Sequence, residues 1–221
     1  MAQIKVGRSV YGRNDEQAEA NRRRFRASGV LAVNLLSSPG AGKTCLLERT
    51  ALAMKDDTHI LVVDGDVETE RDADRLRARG IEAIQIQTHG ACHLDARRVA
   101  AALEGKSLDG YELLLIENIG NLVCPSNFDL GEDLRIVVAS TTEGDDKPLK
   151  YPEAYHTADA CVLNKVDLLP HVAFSVEAFE AAARRTNDRL RLFRTSCTSG
   201  EGIPEWCQWL RELLVGRRQG A

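Results

Sequence analysis

A glycine-rich segment that ends in Gly-Lys-Thr has the residue types needed to bind a nucleoside triphosphate. It reads Ser37-Ser38-Pro39-Gly40-Ala41-Gly42-Lys43-Thr44. Glycines let backbone N–H groups approach phosphates closely, and a helix that starts here adds the positive end of its dipole. In such a loop Lys43 neutralises the β- and γ-phosphates and the Thr44 hydroxyl binds Mg²⁺. The usual pattern begins with glycine where Ser37 stands, a difference expected to affect geometry little. We predict nucleotide contacts from Ser38 to Cys45, with Cys45 contributing mainly its backbone.

Acidic residues near the ends of two predicted strands are candidates for binding the accompanying cation. Asp66 follows one strand, and Glu117 opens a Glu-Asn-Ile-Gly element that resembles the Asp-x-x-Gly element of GTPases. Mg²⁺ requires hard oxygen ligands, so we predict a site formed by Thr44, Asp66 and Glu117. Either carboxylate could instead cap a loop. Asp72 could position an attacking water molecule, although an exposed helix acid is an equally good interpretation.

A second motif can select the nucleotide base, and it reads Asn164-Lys165-Val166-Asp167. The Asp167 carboxylate can accept hydrogen bonds from N1–H and the 2-amino group of guanine, whereas adenine offers no such pair of donors. Unpaired buried polar groups discriminate strongly between ligands. The stem of Lys165 can pack along the base, and a backbone N–H of Ser196 or Cys197 could meet guanine O6. These features favour GTP over ATP.

Short apolar runs alternate with helical patterns along the chain, which predicts an α/β fold. Predicted strands cover residues 31–36, 59–64, 83–87, 113–117, 135–140, 160–164 and 190–195. Predicted helices cover residues 42–55, 71–79, 94–103, 173–185 and 204–214. Continuous apolar strands indicate a mostly parallel central sheet with helices on both faces, the three-layer architecture of P-loop NTPases. Ligands bind such sheets at the carboxyl ends of the strands, where the motifs above fall.

The first part of the chain is predicted to be a helical extension, residues 1–30, of a P-loop domain that covers residues 31–221. A helix is expected to begin at Asn14, whose side chain can cap free N–H groups, and to end before Gly29. An arginine run from Arg22 to Arg26 lies on this helix. It is either a solvated face or a contact for an acidic partner.

Composition narrows the cellular setting. The chain has 221 residues, of which 43% are apolar, and a formal net charge of −4, so nucleic acid is not expected as a partner. No segment approaches the ~20 apolar residues that cross a membrane, and no signal peptide is recognisable. We therefore expect a cytoplasmic protein without membrane contact. Its six cysteines should be thiols that act as ligands or pack in the core, as predicted for Cys161 and Cys207.

With these motifs in this order, the chain resembles the hydrogenase nickel-incorporation GTPases of the HypB family from about Val33 to Leu213. The most specific stretches are Gly90-Ala91-Cys92-His93-Leu94-Asp95-Ala96, Ile116-Glu117-Asn118-Ile119-Gly120-Asn121-Leu122-Val123-Cys124-Pro125 and Thr142-Glu143-Gly144-Asp145-Asp146-Lys147-Pro148-Leu149-Lys150-Tyr151-Pro152. The related urease accessory GTPases carry a Cys-Pro-His metal motif that this chain lacks. Some HypB proteins also carry Cys-rich or His-rich nickel motifs near the N-terminus. The first cysteine here is Cys45, so N-terminal nickel binding or storage is not implied.

The resemblance implies a Ni²⁺ or Zn²⁺ site formed by Cys92, His93 and Cys124. Thiolate and imidazole ligands suit both ions. Spacing alone, an adjacent Cys-His pair and one distant cysteine, would favour buried core thiols. His89 is either an additional ligand or an ordinary loop histidine.

The resemblance also implies a slow GTPase switch that forms a homodimer when GTP is bound. Its partners would be other hydrogenase maturation proteins and the precursor of the hydrogenase large subunit. Lys147 could reach the nucleotide, either in its own chain or across the dimer. No glutamine after the loop is clearly placed to orient water, which agrees with slow turnover.

Other functions remain open from the sequence. A urease-type nickel accessory GTPase is one, and a P-loop kinase for a small molecule is another. A kinase would need an acceptor pocket and a lid, and it would not need the motif that ends in Asp167. A scaffold with a degenerate nucleotide site is the third alternative, and the combination of Lys43, Thr44, Asp66 and Asp167 argues against it.

Overall fold

A computed structural model describes residues 6–65, 71–88 and 90–219, with the backbone alone described at 6–11 and 71–73. The strands are β1 (Leu31–Ser37), β2 (Ile60–Asp64), β3 (Glu82–Gln85), β4 (Leu113–Gly120), β5 (Leu134–Ser140), β6 (Ala160–Asn164) and β7 (Arg191–Arg194). The helices are α1 (Val6–Ala27), α2 (Lys43–Met54), α3 (Arg71–Arg77), α4 (Ala96–Ala102), α5 (Lys147–Lys150), α6 (Pro152–His156), α7 (Val176–Thr186) and α8 (Ile203–Gln219). Short 3₁₀ segments cover Pro125–Asn127 and Val166–His171.

The described strands form one parallel sheet in the order β3-β2-β4-β1-β5-β6-β7. In its centre, Leu35 of β1 lies opposite Glu117 of β4, which in turn lies opposite Asp64 of β2. The carboxyl ends of these three strands therefore meet at one edge of the sheet. The predicted three-layer architecture is confirmed, and the strand pairs are all parallel.

Helices cover both faces of the sheet because alternate residues of its strands are apolar on both sides. One face packs against α2, α3 and α8. The other packs against α1 and α4 beside β2 and β4, and against α6 and α7 beside β5 and β6. Cys161 and Cys207 are buried in these two layers, as predicted. On the first face, the indole N–H of Trp206 in α8 donates to the Thr50 hydroxyl of α2 at 2.9 Å.

The predicted start of the first helix is wrong, because α1 begins at Val6 and contains Asn14 in its interior. Asn14 is buried, and its side chain donates to the Asp129 carbonyl at 2.8 Å and accepts from the Ala96 N–H at 3.0 Å. An asparagine before acidic residues has the local sequence pattern of a helix N-cap. Here contacts with distant segments explain its presence.

The arginine run on α1 is used largely within the chain. Arg22 forms an ion pair with Asp129 at 2.6 Å, and Arg24 donates to the carbonyls of Leu103 and Lys106, each at 2.7 Å. Neither of the two predicted interpretations describes these two residues, since both side chains tie α1 to the rest of the domain. Among the described helices, none is both long enough and apolar enough to cross a membrane.

Candidate functional site

The glycine-rich loop joins β1 to α2 at the carboxyl edge of the sheet. Gly40 and Gly42 have φ angles of 76° and 100°, in the left-handed region that favours glycine. A Cβ atom at Gly42 would collide with the side-chain amide of Asn164. Glycine is thus required here both for the backbone conformation and for close packing against the second motif.

The lysine of this loop has a partner at the position where the usual pattern has glycine. Lys43 is buried at the start of α2, and its Nζ donates to the Ser37 hydroxyl at 2.7 Å. That hydroxyl donates to the Ser38 carbonyl at 2.6 Å. Ser37 therefore contacts the lysine directly, a role that the sequence analysis missed and that a glycine could not perform.

Two of the side chains predicted to bind a cation meet beside the loop. The Thr44 hydroxyl donates to Oε1 of Glu117 at 2.9 Å. Asp64, which was not among the predicted ligands, lies opposite Glu117 in the neighbouring strand, and both residues are buried. Asp66 lies outside the described residues and Asp72 lies in the part of α3 described by its backbone alone, so both remain predictions.

The motif that begins at Asn164 is hydrogen-bonded to the phosphate loop. The Asn164 side chain donates to the Ala41 carbonyl at 3.1 Å, and Nζ of Lys165 donates to the Gly40 carbonyl at 2.6 Å. Lys165 has a φ of 63° and is the only non-glycine residue with positive φ in the described ranges. Such a conformation costs about 1–2 kcal/mol in an ordinary L-residue, so surrounding contacts must hold it.

Asp167 follows this turn and has an unused acceptor. Its Oδ1 is shielded from solvent and has no hydrogen-bond partner in the described chain. Leaving a buried carboxylate oxygen without a donor is unfavourable, which fits an atom that receives a ligand's N–H groups. The nearby N–H groups predicted to meet guanine O6 already have acceptors, because Ser196 donates to the Glu201 carbonyl at 2.9 Å and Cys197 donates to Oδ1 of Asn164 at 3.3 Å.

Two thiols also meet between α2 and the loop after β7. A hydrogen bond with the Cys197 thiol lowers the pKa of the half-buried Cys45 to about 6. The same contact, with burial, raises the pKa of Cys197. Cys45 was predicted to contribute mainly its backbone, whereas its sulfur joins the phosphate-loop helix to the base-binding side of the site.

Lys147 lies beside the phosphate loop in the structure. It begins α5, and its Nζ donates to the Ser38 hydroxyl at 2.9 Å. Glu143 lies 3.8 Å away and the Tyr151 ring 5.1 Å away from the same nitrogen. These neighbours hold the ammonium group near the phosphate loop of its own chain, and the contact with a nucleotide, in this chain or across a dimer, stays a prediction.

The three predicted metal ligands form a cluster at the same edge of the sheet. One ligand atom each from Cys92, His93 and Cys124 lies within 4.8 Å of the others. Cys92 is exposed and Cys124 half-buried, so neither is the core thiol that spacing alone would favour. A hydrogen bond with Cys124 raises the pKa of Cys92, and burial lowers the pKa of His93, which favours the neutral imidazole that binds metals. His89 lies outside the described residues.

Residues missed by the sequence analysis support this cluster. The Phe128 ring stacks on His93, with centroids 3.9 Å apart. From α1, Asn21 donates to the carbonyls of Ala96 and Leu130 at 2.8 and 2.9 Å, and so bridges the segments that follow His93 and Cys124. Asn14 bridges the same two segments through the contacts given above. The sequence signal for Asn14 and Asn21 is their spacing of seven positions, which places both asparagines on one face of a helix.

Comparison with known proteins agrees with this geometry. Residues 31–194 match the family described as CobW/HypB/UreG, nucleotide-binding domain. The hydrogenase maturation factor HypB of Azotobacter chroococcum mcd 1 is 48% identical over 99% of this chain and 70% of that protein. The crystal structure of HypB from Archaeoglobus fulgidus superposes with a TM-score of 0.86 at 42% identity, covering 92% of this chain and 99% of that one. The structure of HypB from Helicobacter pylori in complex with nickel gives 0.87 at 38% identity, covering 94% and 96%. The chain therefore belongs to the CobW/HypB/UreG family and, within it, to the HypB hydrogenase maturation factors.

Proposed function

We propose that this chain is a cytoplasmic GTPase that carries Ni²⁺ and supports its insertion into the precursor of a hydrogenase large subunit, with GTP-dependent dimerisation as the switch. The observation that carries the proposal is the position of the Cys92–His93–Cys124 cluster. Cys124 follows β4, the strand that holds Glu117 beside Thr44. A phosphate-side carboxylate and one of the three soft-metal ligands thus share β4 and the loop after it, and the ligand atoms of Cys92 and His93 lie within 4.8 Å of the Cys124 sulfur.

The nucleotide half of the proposal rests on Lys43, Lys165 and Asp167. A buried ammonium at the N-terminus of α2 suits triphosphate oxygens, since the helix dipole adds to its charge. The shielded Asp167 Oδ1 suits the two donors of guanine. Lys147 next to Ser38 supplies a further positive charge at the phosphates. We expect hydrolysis of GTP to GDP and phosphate at a low intrinsic rate, because the site is rich in phosphate ligands and no glutamine after the loop in the described ranges is clearly placed to orient water.

Mg²⁺ fits the oxygen set found beside the loop. The Thr44 hydroxyl and the Glu117 carboxylate already contact each other at 2.9 Å, and both are hard ligands of the kind this ion prefers. We propose that these two residues, with Asp66, hold Mg²⁺ directly or through water. When bound, the ion would neutralise charge on the β- and γ-phosphates. The protein's own contribution is to place Lys43 and Thr44 next to each other at the start of α2.

The cargo of the proposed cycle is Ni²⁺, bound by Cys92, His93 and Cys124. Two thiolates and one imidazole suit Ni²⁺ and also Zn²⁺, so Zn²⁺ is expected to compete. The relative from Helicobacter pylori was crystallised in complex with nickel. Three ligands on two loops, with Cys92 exposed, leave further coordination positions open, which suits an ion that is to be passed on.

Exposed apolar side chains beside both halves of the site support the proposed homodimer. Val123 precedes Cys124 and is 57% exposed, and Leu149 lies in α5 close to Lys147 and is 46% exposed. A second copy that covers this face would shield both side chains and could contribute metal ligands or a lysine across the interface. The proposed further partners are other hydrogenase maturation proteins and the precursor that receives nickel.

One experiment tests the nucleotide, metal and dimer steps together. Molecular mass by light scattering and metal content by mass spectrometry are measured with GDP and with a nonhydrolysable GTP analogue, at millimolar Mg²⁺ and a stoichiometric amount of Ni²⁺. We expect a monomer with GDP, a dimer with the analogue, and one Ni²⁺ per chain in at least one of the states. Absence of binding of the GTP analogue, measured by calorimetric titration under the same conditions, would refute the proposal.

A pair of double variants tests the metal ligands. Cys92→Ala with Cys124→Ala should abolish stoichiometric Ni²⁺ binding and leave GTP binding intact. Cys161→Ala with Cys207→Ala removes the same number of thiols from the core and serves as the control, which should retain the metal. Identical titrations for the first double variant and the parent would show that the site lies elsewhere.

A further inference from the structure

A chain of polar side chains, three of them buried and Arg135 half-buried, runs across the centre of the sheet from β4 through β1 to β5. Asn34 of β1 is fully buried, donates to Oε1 of Glu132 at 3.1 Å and accepts from Asn118 of β4 at 3.3 Å. Glu132 also forms an ion pair with Arg135 of β5 at 2.8 Å. We call Asn118, Asn34, Glu132 and Arg135 the buried relay.

One end of the relay touches both the nucleotide strand and the first metal segment. Asn118 directly follows Glu117, the residue that accepts from the Thr44 hydroxyl. Its Oδ1 accepts from the Leu94 N–H and from the Ile119 N–H, each at 3.0 Å. Leu94 is the residue after His93. This side-chain hydrogen bond links β4, next to Glu117, to the backbone beside the predicted metal ligand His93.

The other end holds the second metal segment. The Arg135 guanidinium donates to the carbonyls of Ser126 and Phe128 at 2.8 and 3.1 Å, two and four residues after Cys124. Phe128 stacks on His93 with centroids 3.9 Å apart. The two segments that carry the predicted metal ligands are thus hydrogen-bonded to opposite ends of the relay.

General stability does not account for this arrangement. A buried ion pair and two buried asparagines are often no more stabilising than apolar side chains of similar size, because desolvation offsets the attraction. Such a network does fix one arrangement of the segments it joins, since leaving any member unpaired is costly. Each member of the relay lies in a different part of the fold: Asn118 in β4, Asn34 in β1, Glu132 in the turn before β5, and Arg135 in β5.

We propose that the buried relay is the positioning device that makes metal affinity depend on the bound nucleotide. A change at Thr44–Glu117 shifts β4, and Asn118 then moves the Leu94 backbone. The same shift passes through Asn34 to Glu132 and Arg135, which move the segment after Cys124 at the same time. Asn34, Glu132 and Arg135 touch neither nucleotide nor metal and act as positioning residues. The inference rests on the proposed GTP and Ni²⁺ binding and adds the residues through which the two are coupled.

The test compares Ni²⁺ affinity with GDP and with a nonhydrolysable GTP analogue in several variants. Asn34→Leu keeps the volume and removes both central hydrogen bonds, and Arg135→Lys keeps the charge but cannot hold both carbonyls and Glu132. Asn21→Ala is the matched control, because it loosens the same two segments from α1, outside the relay. Circular dichroism and thermal unfolding identify variants that fold.

In the parent we expect the two affinities to differ by about tenfold, within the range of allosteric couplings. Asn34→Leu and Arg135→Lys should bring the ratio to within about twofold of unity. Asn21→Ala should weaken Ni²⁺ binding in both nucleotide states and keep the parent's ratio. A purely structural role would lower the unfolding temperature of the relay variants without changing that ratio.

A second readout uses the metal-free protein. Amide exchange at Phe128, in the segment that Arg135 holds, should respond to the GTP analogue in the parent and not in a folded relay variant. Folded Asn34→Leu and Arg135→Lys proteins that keep both the affinity ratio and this exchange response would overturn the inference and leave GTP and Ni²⁺ binding untouched. A parent that binds both ligands with a ratio near unity would overturn it too. A parent that binds neither ligand would instead refute the proposed function.

Discussion

Asp167 allows the base assignment to be tested with a single atom-scale change, Asp167→Asn. The shielded Oδ1 has no donor in the described chain, so its proposed partners are N1–H and the 2-amino group of guanine. Hydrogen bonds to a charged group contribute about 1.5–3 kcal/mol each. An asparagine keeps one acceptor and turns its NH₂ group toward the 2-amino donor. We therefore expect a loss of about 3–4 kcal/mol in GTP binding, or about 10²- to 10³-fold.

The same substitution should create affinity for xanthosine triphosphate, in which an oxygen replaces the 2-amino group. That oxygen accepts from the new NH₂ group while the asparagine oxygen accepts from N1–H. Binding of both nucleotides is measured by competition with a fluorescent GDP analogue at millimolar Mg²⁺. Asp188→Asn, an exposed carboxylate near β7, is the control and should change neither affinity.

Two outcomes would refute the reasoning. Unchanged affinities for both nucleotides would show that Asp167 does not read the base. Equal weakening of both nucleotides in a protein with unchanged circular dichroism would show that the carboxylate supports the loop structurally.

Three further predictions concern local features of the fold. Thr50→Val leaves the buried indole N–H of Trp206 without its acceptor and should lower the free energy of unfolding in urea by about 1–3 kcal/mol; an unchanged unfolding midpoint would contradict this. Gly42→Ala should weaken GTP binding at least about tenfold with the fold retained, because a left-handed alanine costs about 1–2 kcal/mol and its Cβ strikes the base motif. Cys45, whose pKa is lowered to about 6, should be alkylated by iodoacetamide at a rate that rises with pH through 6 and then levels off. Cys197→Ala removes the hydrogen bond and should move that midpoint up toward the ordinary value of 9.0; an unmoved midpoint would show that another group lowers the pKa.

Local pattern was sufficient for the elements that carry the phosphate motif. The apolar run of β1, the Gly-Lys-Thr that begins α2 and the apolar β6 before Asn164 are each encoded by consecutive residues, and the structure has them within one residue of the predicted bounds. Burial of Cys161 and Cys207 was predictable for the same reason, because each lies among apolar neighbours.

Contacts between distant residues were not predictable in this way. Asn14 has the sequence context of a helix cap, yet the structure uses it to join segments 82 and 115 positions away. The lysine partner of Ser37 was also missed, because a serine in place of glycine gives no local sign of what its hydroxyl contacts. Short helices such as α5 and α6, of four and five residues, have too few turns for a periodic pattern.

The buried relay shows the same limit most clearly. Asn34 and Asn118 are single polar residues in two apolar runs. Such a residue can be a solvated strand end or a buried hydrogen-bonded link, and one sequence does not distinguish the two. Only the parallel register of β1 between β4 and β5, with Asn34 opposite Arg135, brings these side chains together.

By itself, the sequence determined the chemistry available to this protein: a phosphate loop, a carboxylate suited to guanine, and two thiols with an imidazole suited to nickel. The phosphate loop and the carboxylate depend on residue types at short spacing, which a linear chain states directly, whereas the metal set, with Cys124 far along the chain from His93, was implied only by the family resemblance. The tertiary structure decided that Cys92, His93 and Cys124 lie within 4.8 Å of one another and that Glu117 meets Thr44. Those are consequences of strand order and register, because parallel strands bring their carboxyl ends to one edge whatever their separation in the chain.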